Sequence, residues 1–449
     1  MAKFSIKKGK DIKLKGAANK QIVDLALPKQ AAIQPPDFRG LKLRLITKEG
    51  AGVKIGTPVL SDKTNPEIKI ASPVSGKIVA VNRGEKRAFL EVVIESDGKQ
   101  EAESFKQYNE GDIGRLSREQ VIQALLDGGL WPVLRQRPFS KIASPKDKPK
   151  SIFIHAMNTE PLALDVDTVL MAKEREFQAG LDILKKLTDG PVNLCVKAGS
   201  SSKALTASKN VNIHQFSGAH PAGNVGTHIH YVDPINKGEV VWFVEAQDVL
   251  RVARLFLEGK YSAERVVAIT GEGAKNRLYV RSIIGAPMSL FLQGSDLDGM
   301  RCISGSVLNG RSVGPNGFLC FYDSQITVIP EGGHRDLLGW LSPGFNKYTF
   351  SSAYASSFLP KSEASLDTDT NGSHRAIVLN NIYDDFNALD VMTYFLLKAI
   401  VSGNVDESER LGILECDEED FALCTFACPS KTDVGEIIRK GLDIIEKEG

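Results

Sequence analysis

The sequence predicts a multidomain α/β protein, and three observations carry that prediction. Its 449 residues exceed what one hydrophobic core organises. Short alternating strands fill residues 41–95, and strand and helix patterns alternate through 151–271. Hydrophobic residues at 42% and charged residues at 25% are ordinary globular values. A formal net charge of +1 lacks the basic excess of a nucleic-acid binder, so no nucleic-acid partner is expected.

In the first unit, apolar residues alternate in Leu41–Leu43–Leu45, Ile68–Ile70 and Ile78–Ala80, with Gly, Pro, Asn and Asp punctuating the run. The turns Glu49-Gly50, Ser61-Asp62-Lys63 and Ser72-Pro73-Val74-Ser75-Gly76 come in an order that resembles the barrel-sandwich hybrid of biotinyl and lipoyl domains. There a Lys on the middle hairpin carries a prosthetic arm, and Lys63 falls near that place. Asn65-Pro66 follows where a carrier hairpin continues as strand, so the unit reads as a structural module.

Helical spacing of Leu116, Val121, Ile122, Leu125 and Leu126 ends at Gly128-Gly129. A charged loop at 144–150 leads to a strand at 151–157, a helix at 168–188 and strands at 192–196 and 211–216. After a Gly/His-rich loop come a strand at 239–245, a helix at 246–258 and a strand at 265–271, so 151–271 reads as a Rossmann-like layered core. Residues 276–330 return to β rhythm. The segment 360–375 is polar loop, and from about Asp384 the chain reads as helical.

Charge is unevenly spread. Residues 1–60 hold thirteen Lys/Arg against four Asp/Glu, and 404–420 hold eight acids against one base. Ends of opposite sign suggest surfaces aimed at different partners. The apolar stretch Val391–Val401 falls short of the ~20 residues a membrane span needs, and the N-terminus has no apolar signal region. Six Cys without a secretory signal read as free thiols.

Cys424, Cys428 and Pro429 form the tail of a ferredoxin-type run, but the C-x2-C-x2-C that would precede it is missing. These Cys are therefore expected as small core residues. His220, His228 and His230 share a loop with Gly223. On an extended segment His228 and His230 would face one way, leaving open a three-nitrogen metal site, a polar ligand pocket, or plain packing at a seam. No phosphate-binding glycine loop is complete. The run from Trp131 to Lys141, with Arg135, Arg137 and Phe139, suits a flat ligand bearing carbonyl oxygens, or equally a protein contact.

Strings from end to end carry a family resemblance: FSIKKGKDI (4–12), DKTNPEIKIASPVSGKIVAVNRGEKR (62–87), GGLWPVLRQRPFSK (128–141), GAHPAGNVGTHIHYVDPIN (218–236), RCISGSVLNG (301–310), LGWLSPGFNKYT (338–349), TNGSHRAIVLNNIY (370–383) and EEDFALCTFACPSK (418–431). The chain resembles the NqrA family, one of the component families of bacterial sodium-translocating NADH:quinone reductases. That family is itself similar to RnfC and to the flavin-binding component of respiratory complex I. Where those relatives hold flavin with G-G-A-G-F-P-T, this chain has Gly128-Gly129-Leu130-Trp131-Pro132.

The resemblance implies a module in 1–105, a Rossmann-like core in 106–261 and a ubiquitin-like β-grasp (SLBB-like) domain in 262–330. A connecting segment over 331–376 and a degenerate cluster-type helical domain in 377–449 would follow. It also implies a cofactor-free peripheral subunit on the cytoplasmic face of the inner membrane. FAD, FMN, riboflavin and iron–sulfur groups would reside in five other subunits, the closest partner being the membrane subunit with covalent flavin. Ubiquinone or menaquinone would be the substrate, with Phe38, Arg39, Arg135, Arg137 and Phe139 shaping a quinone site and the loop of His220, Gly223, His228 and His230 supporting it. A non-catalytic docking role is the alternative. In either case the basic stretch with Arg39, Lys42 and Arg44 would face the membrane subunit or lipid.

Overall fold

The computed structural model of the chain describes residues 2–333, 339–345, 347–350, 352–359, 363–379 and 381–448. The start of the polar loop expected at 360–375, residues 360–362, lies outside them, as do Leu338 and Asn346.

The chain begins with an arm of two strands, β1 (Ala2–Ser5) and β2 (Asn19–Asp24). The β module follows as β3 (Gln30–Ile33), β4 (Leu43–Leu45), β5 (Gly52–Val53), β6 (Pro58–Asp62), β7 (Lys69–Ala71), β8 (Gly76–Arg83) and β9 (Phe89–Ser96). These make a four-stranded sheet in the order β3-β9-β8-β5 and a three-stranded sheet β4-β6-β7. Lys63 is exposed on the β6–β7 turn, where the buried Asp62 carboxylate accepts from the Lys42 and Asn65 N–H groups, both at 2.7 Å. Module residues Val59, Ile70 and Val92 share one core with Val121, Ile152 and Phe256 of the following domain. Gly129 permits that approach: a Cβ there would lie 2.8 Å from the Ala71 Cβ.

The second sheet is assembled from β10 (Arg135–Arg137), β11 (Lys141–Ile142), β12 (Ser151–Ala156), β13 (Val192–Lys197), β14 (Asn212–Ser217) and β15 (Val241–Glu245). With β1 added at the edge, its order is β1-β14-β13-β12-β15-β10-β11. Strands β1, β14, β13, β12 and β15 run parallel, while β10 and β11 are antiparallel. Helices Arg118–Asp127, Glu174–Leu184 and Ala246–Glu258 pack with it. The helix expected over 168–188 is broken into Val166–Val169, Glu174–Leu184 and a 3-10 turn at Lys185–Leu187, with Ala172 at φ +58° between them.

The strand expected at 265–271 is β16 (Glu264–Thr270), and it leaves the layered core it was assigned to. The reason is edge occupancy: β10 already pairs with β15, Arg135 opposite Phe243, so no parallel strand can be added there. Instead β16 joins β17 (Leu278–Ile283), β18 (Met300–Ser304), β19 (Arg311–Ser312) and β20 (Gln325–Pro330) in a sheet ordered β19-β18-β20-β16-β17-β2. The arm strand β2 closes that sheet, parallel to β17.

The C-terminal part is helical, with helices Thr393–Val401 and Val434–Glu448 packed around Leu396, Leu397, Ile438 and Leu442. Gly441 lets them meet, since a Cβ there would fall 3.0 Å from Ile400 Cγ1 of the facing helix. No described helix is long and apolar enough to cross a membrane.

Candidate functional site

In the parallel part of the second sheet the chain runs β12 to β13 to β14 in one direction, then returns to place β15 on the other side of β12. Adjacent loops therefore diverge at the C-terminal ends of β12 and β15, the place where open α/β sheets leave a crevice for ligands. A cleft of about 620 Å³ opens there, walled by the sheet, by the segment around Asp37 with the six-stranded sheet, and by the helical C-terminal part.

His155 and Glu245 are register partners at the cleft floor. Glu245 bridges two cations: Oε2 accepts from His155 Nδ1 at 2.8 Å and Oε1 from Arg135 Nη2 at 2.9 Å. The other His155 nitrogen, Nε2, lies 2.5 Å from the Gly223 carbonyl oxygen. Burial works against charge on His155, but Glu245 and the Gly223 carbonyl outweigh it and raise the group to about 9. Burial likewise opposes the Glu245 carboxylate, yet His155 and Arg135 hold it down to about 2. The floor is thus an imidazolium donating at both nitrogens. The Arg135 guanidinium is stacked between Phe243 and Tyr322, 4.4 and 4.5 Å from their ring centres.

On the second wall, Asp37 accepts from Arg311 and from the Phe321 N–H, each at 2.8 Å. Burial nonetheless pushes its carboxyl up to about 6. On the third wall, Asp417, Glu418, Glu419 and Asp420 meet three guanidiniums. Arg39 pairs with Asp417 and Glu418, and Arg439 with Asp417. Arg137, its side chain 1% exposed, pairs with Asp417, Glu419 and Asp420. Burial pushes Glu419 up to about 7. For Asp417 burial acts the same way, but Arg137 and Arg39 outweigh it and hold it below the usual carboxylate range.

Of the residues singled out in the sequence, Arg39, Arg135 and Gly223 line this cleft. A Cβ on Gly223 would lie 2.6 Å from the Thr159 N, so only glycine fits. Phe38 is buried against Phe321, ring centres 4.9 Å apart. Arg137 is sealed behind its carboxylates, and Phe139 packs on the C-terminal core. The basic and acidic stretches do not simply face different partners: Arg39 of the first binds Asp417 and Glu418 of the second.

The extended reading of the His loop is corrected, because Val225–Val232 is a helix and His228 and His230 diverge on it. His228 is buried 4.3 Å from the Phe216 ring, with Nε2 3.1 Å from the Ala222 carbonyl, and burial and the His155 charge keep it neutral. His230 turns outward to Glu415 at 2.7 Å, while His220 sits beside Thr159 Oγ1 at 3.3 Å. Among the described residues no three His, Cys, Asp or Glu side chains are grouped to hold a metal ion. The Cys416 and Cys424 thiols donate to the Gly412 and Tyr383 carbonyls, and burial raises both out of the thiolate range.

Sequence reasoning missed His155, Glu245, Asp37 and Arg311. The signal for the first two was available: each is a polar residue at or next to the C-terminal end of a mostly apolar strand, SIFIHA and VWFVE.

Three family models match the chain: the NqrA N-terminal barrel-sandwich hybrid domain over residues 4–97, the NqrA second alpha/beta domain over 116–261, and the NQRA C-terminal domain over 266–314. Relatives match over nearly the whole length. The NqrA component of the Na(+)-translocating NADH-quinone reductase of Alcanivorax borkumensis is 41% identical over 448 residues, covering 99% of this chain and all of that one. Its counterpart from Histophilus somni, under the same name, is 40% identical with the same coverage. A solved NAD+-reducing [NiFe]-hydrogenase aligns over 49% of this chain and 48% of its own at 12% identity and a TM-score of 0.35, too distant to bear on function. Full-length identity near 40% to proteins of one name, with their family's domain models laid in order along the sequence, places this chain in the NqrA family of the Na+-translocating NADH-quinone reductases.

Proposed function

We propose that the chain is the peripheral NqrA component of a sodium-pumping NADH:quinone oxidoreductase, and that its cleft receives a quinone head group at the semiquinone-to-quinol step. FAD, FMN, riboflavin and iron–sulfur carriers belong, in this reading, to five other subunits, and ubiquinone or menaquinone is the substrate. The chain sits on the cytoplasmic face of the inner membrane, next to the subunit with covalent flavin.

One observation carries the reading. At the crevice between β12 and β15, Glu245 fixes the Arg135 guanidinium and the His155 imidazolium side by side. A fixed guanidinium that keeps N–H groups to spare, beside an imidazolium whose two N–H groups are taken by Glu245 and Gly223 but whose charge remains, suits a flat ring with carbonyl oxygens, whose negative charge grows on reduction. The docking alternative draws on a different observation: Arg137 and Phe38 are buried and pair with partners inside the chain.

The same reading extends to the fold. The β17-β16-β20-β18 order with β16 parallel to β20 supports a β-grasp domain over 262–330. The parallel β14-β13-β12-β15 order supports a Rossmann-like core over 106–261.

The test is a quinone titration of the isolated chain and of the intact complex, each with Arg135→Ala and Arg39→Ala alongside. Saturable binding weakened about tenfold or more by Arg135→Ala, in a chain with an unchanged melting temperature, supports the cleft. Binding by the complex that ignores both substitutions favours the docking role.

A further inference from the structure

The largest exposed apolar side chains do not lie at the cleft. On the helix Thr393–Val401 and its N-cap, Met392, Phe395 and Val401 are 59%, 53% and 64% exposed. Phe395, Lys398 and Val401 span about 120° of the exposed side of the helix, with Met392 just ahead of its first turn, while Leu396, Leu397 and Ile400 fill the domain core on the other side. Val378 and Leu379, ahead of this helix, are also exposed. The surroundings are acidic: Asp384, Asp385 and Asp390 are exposed before the helix and Asp406 after it. Residues 381–410 carry six acids against two bases.

We propose that this face docks on a basic, cytoplasm-facing loop of a membrane-embedded subunit. The proposal rests on the reading of the chain as part of a sodium-translocating complex. No described helix is long and apolar enough to cross a membrane, and that reading puts the ion path in the membrane-embedded subunits. Cytoplasmic loops of membrane proteins carry an excess of Lys and Arg, which complements exposed apolar side chains flanked along the chain by exposed acids. The alternatives meet repulsion. Anionic lipid head groups would face Asp384, Asp385 and Asp390, and a second copy would bring the same acids against themselves.

The experiment uses the intact complex, purified with a tag on a membrane subunit, from cells carrying Met392→Ser with Phe395→Ser, or Asp384→Lys with Asp385→Lys and Asp390→Lys. The isolated full chain of each variant is melted to show that it folds. Both sets of substitutions are expected to lower the retained chain about tenfold or more with an unchanged melting temperature. Rising salt should release the wild-type chain. Retention of both variants at wild-type stoichiometry overturns the docking face, as does self-association of the isolated chain or its binding to phosphatidylglycerol vesicles through these residues. A wild-type chain that never co-purifies with a membrane subunit overturns the complex reading as well, which separates the two failures.

Discussion

Arg137 Nη1 lies 3.2 Å from Asp420 Oδ2, joining strand β10 to the C-terminal helical part through two side chains that are 1% and 2% exposed. A pair so dry is held by geometry as much as by charge, and removing one member strands the other in the interior.

Arg137→Ala should therefore destabilise the chain by roughly 3–5 kcal/mol, because Asp417 and Asp420 lose their shared cation. Adding Asp420→Ala to it should cost less than the sum of the two single changes. Urea unfolding of the wild type, both single variants and the double variant measures the coupling. Additive costs would show that the pair is not a unit.

The His155–Glu245 pair predicts a pH window. His155 is raised from 6.5 to about 9, so its contribution is complete below 6.5 and lost as pH rises through 9. Glu245 is lowered from 4.5 to about 2, so its contribution is present above 4.5 and lost as pH falls toward 2. His155→Gln should flatten the stability profile between pH 6.5 and 9, removing on the order of 3 kcal/mol at neutral pH. Denaturant midpoints across that range check it, and an unchanged alkaline slope in the variant would refute the pairing.

Gly226→Ala inverts the usual rule for helices. Ala favours a helix over Gly by about 1 kcal/mol, yet a Cβ at 226 would lie 2.3 Å from Asp420 Oδ1 and 2.4 Å from Oδ2. The substitution should lower the melting temperature and loosen the C-terminal helical part first. Limited proteolysis beside a thermal melt reads both, and a more stable Gly226→Ala chain would contradict the contact.

Much of the architecture was legible because it is written locally. Alternation in Leu41–Leu45 and Ile68–Ile70 belongs to strands β4 and β7, and the helix at 246–258 ends where Gly259 adopts φ +62°. The site was less legible because it is built from distant partners. Asp417, Glu419 and Asp420 read as part of an acidic surface aimed at a partner until Arg137, far away in sequence, is brought onto them. His228 and His230 read as loop because Gly223, Gly226 and Thr227 weaken helix propensity. Packing of Val225 and Ile229 into a core with Phe216 overrides that preference. His155 and Glu245 gain meaning only once the strand order is known.

The arm imposes an order of events at the ribosome. Residues 2–24 emerge well before their partners β14 and β17, which are synthesised far later. The arm must wait for both before it finds its place, and until it does, β14 and β17 stay unpaired on that side. Trimming those few residues would cut a seam that fastens two sheets at once.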